Sequence, residues 1–206
     1  MTIQEAYRIG TAYLASFGIS SPALDTELIL CDLTRKDRAA LISHSDRDLS
    51  VQEESVLWEW LDRRARHCPL QYLRGKQEFF GRDFEVSPEV LIPRPETEIL
   101  VEACLELIRR HPGVSRILEI GTGSGCIAVS LTCEIKGLIV TALDISESAL
   151  KIARRNASRL PIQSPIEWLV ADGLTAFGHG DSPFDLIVSN PPYISDFDPL
   201  VEAGVR

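Results

Sequence analysis

The chain of 206 residues has no apolar run close to the roughly 20 residues that a helix needs to cross a bilayer. Its first residues, Met1 to Glu5, also lack the basic segment followed by an apolar one that marks a secretory signal. These two absences argue against a membrane span and against export. We therefore expect a globular protein of the cytoplasm that has no membrane partner.

The cysteines and histidines lack the spacing of a metal site or of a redox pair. The five cysteines include no C-x-x-C pair and have no histidine at ligand spacing, and they are Cys31, Cys68, Cys104, Cys126 and Cys133. Their positions in apolar or helical runs are typical of reduced core residues. The sequence therefore predicts a protein without a metal.

The chain has few positive charges: 21 Lys and Arg residues against 30 Asp and Glu residues, which gives a formal net charge of −9 at pH 7. A negative total repels phosphates, which disfavours direct binding to nucleic acid. One basic cluster, Arg63 to His67, lies at the end of a predicted helix. We interpret it as a solvated helix terminus that complements the helix dipole.

The N-terminal third is predicted to be helical, because its apolar residues recur at helical spacing and strand signals are few. We assign residues 1–75 to a small helical domain for substrate recognition. Ser50 and Glu53 form a capping-box pattern before a helix that contains Trp58 and Trp60. These tryptophans are two residues apart and point to different sides, so one of them is expected to be exposed as a partner contact.

Residues 76–90 carry the pattern of a β-hairpin, with Gly81-Arg82 between two aromatic segments, and are interpreted as a linker. Beyond it, strand and helix patterns alternate, which predicts an α/β domain over residues 91–206. Its four apolar strand segments lie at about residues 115–120, 138–143, 166–171 and 185–189.

A glycine-rich turn follows the first of these strands, with the spacing G-x-G-x-G over Gly121–Gly125. Such a turn lets the backbone approach a ligand closely, and the next helix offers its free N–H groups. A dinucleotide fingerprint would need its third glycine at position 126, where the chain has Cys126. Glu119 would also repel a pyrophosphate, whereas it could orient a cation such as the amino group of S-adenosylmethionine.

The next two strands end in acids, Asp144 and Asp172, and the second acid is followed by Gly173. A carboxylate at Asp144 can take both hydroxyls of a ribose, and one at Asp172 can accept from an adenine amino group. Each acid by itself is more typical of a helix N-cap, although Ser146 can cap the helix that follows Asp144. Because ligands bind beyond the carboxyl ends of such strands, we expect both acids to line one pocket.

The tetrapeptide Asn190-Pro191-Pro192-Tyr193 follows the fourth strand. Proline has no N–H for the ladder, so the chain must leave the sheet there. The Asn190 side-chain oxygen and the Pro191 carbonyl can both accept from one planar NH2 group, with Tyr193 closing over its face. This predicts chemistry on an amide or on the amino group of a base, although the tetrapeptide alone also fits a stiff turn.

Together these segments resemble the class I S-adenosylmethionine-dependent methyltransferases and, more closely, the HemK/PrmC family of release-factor glutamine methyltransferases. Residues 72–81 and 91–98 are similar to family segments as well, so the resemblance covers nearly the whole chain. It implies a Rossmann-like α/β sheet preceded by a small all-α domain and a β-hairpin. It also implies an enzyme of translation termination that methylates the glutamine of the Gly-Gly-Gln motif in peptide chain release factors.

The resemblance extends to individual residues. Glu119 is included because of its negative charge, and the other residues follow from the resemblance. The residues expected to bind S-adenosylmethionine are Glu119, Gly121, Thr122, Gly123, Ser124, Gly125, Asp144, Asp172, Gly173 and Asn190. Residues 93–97 would form a wall of that pocket. The residues expected to bind the glutamine are Asn190, Pro191, Pro192 and Tyr193, and Asn190, Pro191 and Tyr193 are the expected catalytic residues.

Two other functions stay open on the residues alone. An amino methyltransferase acting on adenine or cytosine in DNA or RNA would meet a similar NH2 on a flipped base. A non-catalytic, cofactor-binding remnant is the second alternative, because the chain ends at Arg206, soon after Tyr193. A class I sheet has further strands beyond the fourth, so we expect the domain at 91–206 to be truncated and to lack its C-terminal strands.

Overall fold

A computed structural model describes residues 1–177 and 184–191. The chain divides after Arg74 into two compact units, of which the second begins at Gly75. Within the described residues, no helix combines the length and the apolar character that crossing a membrane requires.

The first unit is mainly helical. Over residues 1–74 it forms five helices, α1 (Ile3–Ser16), α2 (Pro22–Thr34), α3 (Arg38–Ser43), α4 (Val51–Ala65) and α5 (Leu70–Arg74). Gly10 allows α1 to approach α2 closely, because a Cβ atom there would lie 2.8 Å from the Thr26 Cγ2 atom. Leucine and isoleucine side chains from α1, α2 and α4 fill the core, among them Leu14, Ile29, Leu57 and Leu61.

Helix α4 confirms two predictions and corrects a third. Ser50 and Glu53 form the predicted capping box, and Trp58 is 41% exposed whereas Trp60 packs against the core. The interpretation of Arg64 as a solvated residue was wrong. Its Nε donates a 2.7 Å hydrogen bond to Asp25, a buried carboxylate, because an acid inside the helical core needs a charged partner.

The second unit begins with the predicted hairpin, formed by the antiparallel strands β1 (Lys76–Phe79) and β2 (Arg82–Glu85). The two turn residues, Phe80 and Gly81, have φ angles of 51° and 70°. Two positive φ angles define a type I′ turn, whose twist matches that of the flanking strands.

In the described part of the chain, the main sheet has four parallel strands in the order β5-β4-β3-β6. They are β3 (Arg116–Ile120), β4 (Ile139–Asp144), β5 (Ile166–Val170) and β6 (Leu186–Ser189), and the helices are α6 (Pro95–Arg110), α7 (Cys126–Glu134) and α8 (Glu147–Arg159). A short 3-10 helix, Gly173–Ala176, follows β5. These strands match the four predicted ones and confirm the Rossmann-like α/β class.

Strand β3 lies between β4 and β6, so the strand order reverses at β3. In open α/β sheets such a switch point leaves a crevice at the carboxyl ends of the strands, where ligands bind. The glycine-rich turn leaves β3 at this point. The fold therefore places the predicted cofactor loop at the position where open α/β sheets bind their ligands.

Candidate active site

The glycine-rich loop is tied to the end of β4. Its glycines have positive φ angles of 74°, 54° and 80° at Gly121, Gly123 and Gly125. The N–H groups of Gly121 and Thr122 donate to the Leu143 carbonyl over 2.9 and 3.0 Å, and the N–H of Gly123 donates to Asp144 Oδ2 over 2.8 Å. Three hydrogen bonds from consecutive residues therefore fix the loop against β4.

Helix α8 supports the same loop from another side. The Asn156 NH2 group donates to the carbonyls of Ser124 and Glu85 over 2.9 and 3.0 Å, while its Oδ1 accepts from the Glu85 N–H over 2.7 Å. One turn earlier, Ala153 leaves little room at Gly125, where a Cβ atom would lie 3.0 Å from the Ala153 Cβ. Sequence reasoning missed Asn156, whose only signal is a lone amide among the apolar residues of α8.

Glu119 is buried at the end of β3, next to the loop. Its Oε2 atom accepts hydrogen bonds from the Thr122 hydroxyl over 2.8 Å and from the Ala128 N–H over 3.0 Å. Burial raises the pKa of the Glu119 carboxyl to about 8, and the nearby charge of Asp144 acts in the same direction. Burial therefore favours the protonated carboxyl, and a cationic ligand beside it would favour its ionised form.

Asp144, the last residue of β4, and Asp172, which comes after β5, have different surroundings. The Asp144 carboxylate accepts from the Gly123 N–H and, through Oδ1, from the Ser146 N–H over 2.9 Å, so it organises the chain around it. Ser146 caps α8 as predicted, since its hydroxyl accepts from the Ala149 N–H. Asp172 is exposed at the start of the 3-10 helix.

A cavity opens at the carboxyl edge of the sheet, beside β3. Its lining brings together many of the predicted site residues with the segment before α6, and consists of Leu91, Ile92, Pro93, Arg94, Thr97, Glu119, Gly121, Thr122, Gly123, Ser124, Cys126, Ile127 and Asn190. Of the residues predicted for the cofactor, this lining does not include Gly125, Asp144, Asp172 and Gly173. Neither Asp144 nor Asp172 is among these lining residues, and the prediction that the two acids line one pocket stays a prediction. They lie at the ends of neighbouring strands on the same edge of the sheet.

Asn190 enters the cavity from the end of β6. Its NH2 group donates a 2.8 Å hydrogen bond to the hydroxyl of Thr97, a buried residue in the first turn of α6. The preceding residue, Ser189, donates to the Ile120 carbonyl over 2.9 Å and so fixes the end of β6 beside β3. Pro191 follows and is exposed, while Pro192 and Tyr193 lie outside the described residues.

Metal ligation has no support in the described part of the chain. Within residues 1–177 and 184–191, no group of three or more His, Cys, Asp or Glu side chains is arranged to hold a metal ion. The five cysteines carry free thiols, and those of Cys104, Cys126 and Cys133 are buried.

The chain matches two protein families along its length. Residues 5–75 match the PrmC N-terminal domain, and residues 96–203 match the methyltransferase small domain. The second match, the parallel sheet and the glycine loop at its switch point define a Rossmann-like methyltransferase that uses S-adenosylmethionine.

Curated relatives show which family within this class of methyltransferases the chain resembles. The release factor glutamine methyltransferase of Koribacter versatilis is 46% identical over 196 residues, which cover 95% of this chain and 69% of the relative. That of Geobacter sulfurreducens is 40% identical over 197 residues, which cover 96% of this chain and 67% of the relative. The chain belongs to the release factor glutamine methyltransferase family.

Among solved structures, the S-adenosylmethionine-dependent methyltransferase from Agrobacterium tumefaciens is similar to this chain with a TM-score of 0.49 and 20% identity. The match covers 57% of this chain and 39% of that one. The family assignment rests on the sequence relatives and on the two family matches, and not on this likeness.

Proposed function

We propose that this chain transfers a methyl group from S-adenosylmethionine to the side-chain amide nitrogen of a glutamine, the one in the Gly-Gly-Gln motif of a peptide chain release factor. The observation that carries the proposal is the single cavity in which the glycine loop and Glu119 meet Asn190. A cofactor site and an amide-binding side chain then share one space. Because release factors work on ribosomes, the proposal places the reaction in the cytoplasm.

The cavity suits the charges of the cofactor. It is lined by Arg94, a cation that can pair with the carboxylate of a zwitterionic amino acid, and by the Glu119 carboxyl, which can accept from its amino group. The positive-φ glycines leave backbone exposed for close approach, and the loop residues 121–125 would hold this part of the ligand. Asp144, Asp172 and Gly173 would hold the nucleoside further along the same edge.

The acceptor nitrogen of a glutamine is a poor nucleophile, because its lone pair is delocalised into the carbonyl. Bound S-adenosylmethionine supplies an activated methyl group on a sulfonium centre. The Asn190 side-chain oxygen and the Pro191 carbonyl would accept from the glutamine NH2, orient its nitrogen and stabilise the positive charge that develops on it. Pro192 and Tyr193 would complete the glutamine site.

The helical unit, residues 1–74, is proposed to recognise the release factor. It exposes an aromatic cluster formed by Tyr13, Phe17 and Trp58, in which the Tyr13 ring lies 5.0 Å from that of Phe17 and 5.7 Å from that of Trp58. Phe17 is 49% exposed and Trp58 is 41% exposed. Exposed aromatic side chains that contact one another are typical of protein interfaces.

The test uses the purified chain, S-adenosylmethionine with a labelled methyl group, and three separate acceptors. They are a release factor, the same factor with the glutamine of its Gly-Gly-Gln motif replaced by alanine, and an adenine- and cytosine-containing oligonucleotide. We expect label in the first acceptor only. Label in the oligonucleotide would favour an amino methyltransferase of nucleic acid, and no label in any acceptor would favour a non-catalytic remnant.

A variant completes the design. Asn190→Ala should remove methyl transfer, whereas cofactor affinity, measured by calorimetry, should fall less, because the glycine loop is unchanged. Transfer at an unchanged rate would contradict the role proposed for Asn190.

A further inference from the structure

The hydrogen bond between Thr97 and Asn190 joins two segments that lie far apart in the sequence. Thr97 is only 6% exposed, and its hydroxyl oxygen accepts from the Asn190 NH2 group over 2.8 Å. The backbone of Thr97 is itself fixed, since its N–H donates to the Arg94 carbonyl over 2.9 Å. The start of α6 therefore holds the NH2 group of the Asn190 side chain in the cavity.

The first turn of α6 is held from a second direction as well. The neighbouring residue Glu98 accepts a 2.8 Å hydrogen bond from the N–H of Phe80, which lies in the hairpin turn. The backbone around Thr97 is thus held both by the start of α6 and by the hairpin. The Thr97 hydroxyl therefore has a defined position, at which it accepts from the Asn190 amide.

The two ends of an asparagine amide have nearly the same shape but opposite hydrogen-bonding character. A half-turn about the Cβ–Cγ bond exchanges the oxygen and the NH2 group. A glutamine NH2 group needs the oxygen, because a second NH2 group would offer it donors only. Since the Asn190 nitrogen faces Thr97, its oxygen lies on the side of the amide that points away from Thr97.

We propose that Thr97 is a positioning residue, which restrains the Asn190 side chain in the cavity where it would meet the substrate. The proposal rests on the proposed function for its substrate but on the observed hydrogen bond for its geometry. Without the hydroxyl the Asn190 side chain loses this restraint, so that only a fraction of the molecules holds it where it can bind the glutamine. Turnover falls with that fraction, whereas the cofactor contacts of the glycine loop are unchanged.

The first test compares Thr97→Val and Thr97→Ser in methyl transfer to a release factor. Valine keeps the shape of threonine and removes the hydroxyl, and we expect kcat/KM for the release factor to fall about tenfold, the factor that corresponds to one lost hydrogen bond. Serine keeps the hydroxyl and should restore most of the activity. Affinity for S-adenosylmethionine, measured by calorimetry, should change less than kcat/KM in both variants.

Thr141→Val is the matched control. Thr141 is also 6% exposed, and its hydroxyl donates a 3.0 Å hydrogen bond to Glu167 within the sheet. This substitution removes a buried threonine hydroxyl of the same unit without touching the cavity lining. It should leave kcat/KM unchanged, which separates loss of the restraint on Asn190 from a general loss of packing.

A second measurement is independent of turnover. The chain has two asparagines, Asn156 and Asn190, so selective 15N labelling of asparagine yields two side-chain NH2 signals. We expect Thr97→Val to shift and broaden the Asn190 signal and Thr97→Ser to preserve it. The Asn156 signal, from an amide with three hydrogen bonds, serves as the internal reference.

Unchanged kcat/KM in Thr97→Val, equal losses in the valine and serine variants, or an unchanged Asn190 signal would each overturn the positioning role. If the unchanged chain transfers no methyl group to a release factor, the proposed function fails. In that case, the Asn190 NH2 signal in the two Thr97 variants still shows whether Thr97 restrains the Asn190 side chain.

Discussion

The N–H of Gly123 donates a 2.8 Å hydrogen bond to the carboxylate of Asp144. The acid predicted to bind a ribose therefore also fixes the loop predicted to surround the cofactor. A similar arrangement exists at the opposite edge of the sheet, where Asp185 accepts from the N–H groups of Ser115 and Arg116, each over 2.8 Å. The two acids brace backbone in the same way, but only Asp144 lies at the ligand-binding edge.

Comparing Asp144→Ala with Asp185→Ala separates ligand binding by Asp144 from the fixing of backbone that both acids share. We expect Asp144→Ala to weaken S-adenosylmethionine binding by about 1 to 3 kcal/mol, the range for hydrogen bonds to a charged group. Asp185→Ala removes backbone hydrogen bonds of the same kind and should leave the dissociation constant unchanged. Calorimetric titration measures both, and equal affinities in the Asp144 variant and the unchanged chain would contradict the assignment.

Glu119 predicts a pH dependence of stability. Its pKa rises from 4.5 to about 8 on burial, so between these values the folded protein keeps a proton that the unfolded chain has lost. The free energy of unfolding should therefore fall as the pH rises through this window. Glu119→Gln, which cannot ionise, should lack this contribution. Urea unfolding at several pH values measures the difference, and parallel profiles for the two proteins would show that Glu119 does not titrate in this way.

The loop glycines should differ in their tolerance of a side chain. Both Gly123 and Gly125 have positive φ, but a Cβ at Gly123 meets no atom within 4 Å, whereas one at Gly125 lies 3.0 Å from the Ala153 Cβ. Gly123→Ala should cost about 1 to 2 kcal/mol from backbone strain alone. Gly125→Ala should cost more, because α8 must also move. Urea unfolding midpoints test the order, and equal costs would argue against close packing of α8 on the loop.

Many of these features follow from local sequence. The four strands, the capping box at Ser50 and the helix after Asp144 were predicted, and Ser146 caps that helix as expected. Apolar periodicity and capping signals act over a few residues, so a single sequence contains them. The glycine loop belongs to this group, since its spacing and the strand before it are contiguous.

The side chains that hold the site do not follow from any local pattern. Thr97 and Asn190 are 93 positions apart, and Asn156 reaches Ser124 across 32 positions. Such contacts depend on how α6 and α8 pack on the sheet. The same reason explains Arg64, whose pairing with Asp25 turns a basic cluster that looked solvated into a part of the helical core.

The aromatic cluster of the helical unit predicts a separation of substrate binding from cofactor binding. Trp58→Ala and Phe17→Ala should raise KM for the release factor and leave the affinity for S-adenosylmethionine unchanged. Ile42→Ala is the control, because Ile42 is 67% exposed in the same unit and lies outside the cluster. An unchanged KM in both aromatic variants would remove the cluster from the proposed recognition surface.

The most direct test of the proposed function is mass spectrometry of a release factor after incubation with the chain and S-adenosylmethionine. We predict one added methyl group on the peptide that contains the Gly-Gly-Gln motif, with fragmentation placing it on the side-chain nitrogen of the glutamine. The Asn190→Ala variant should leave that peptide unmodified. An unmodified peptide after incubation with the unchanged chain, or a methyl group on another residue, would contradict the account.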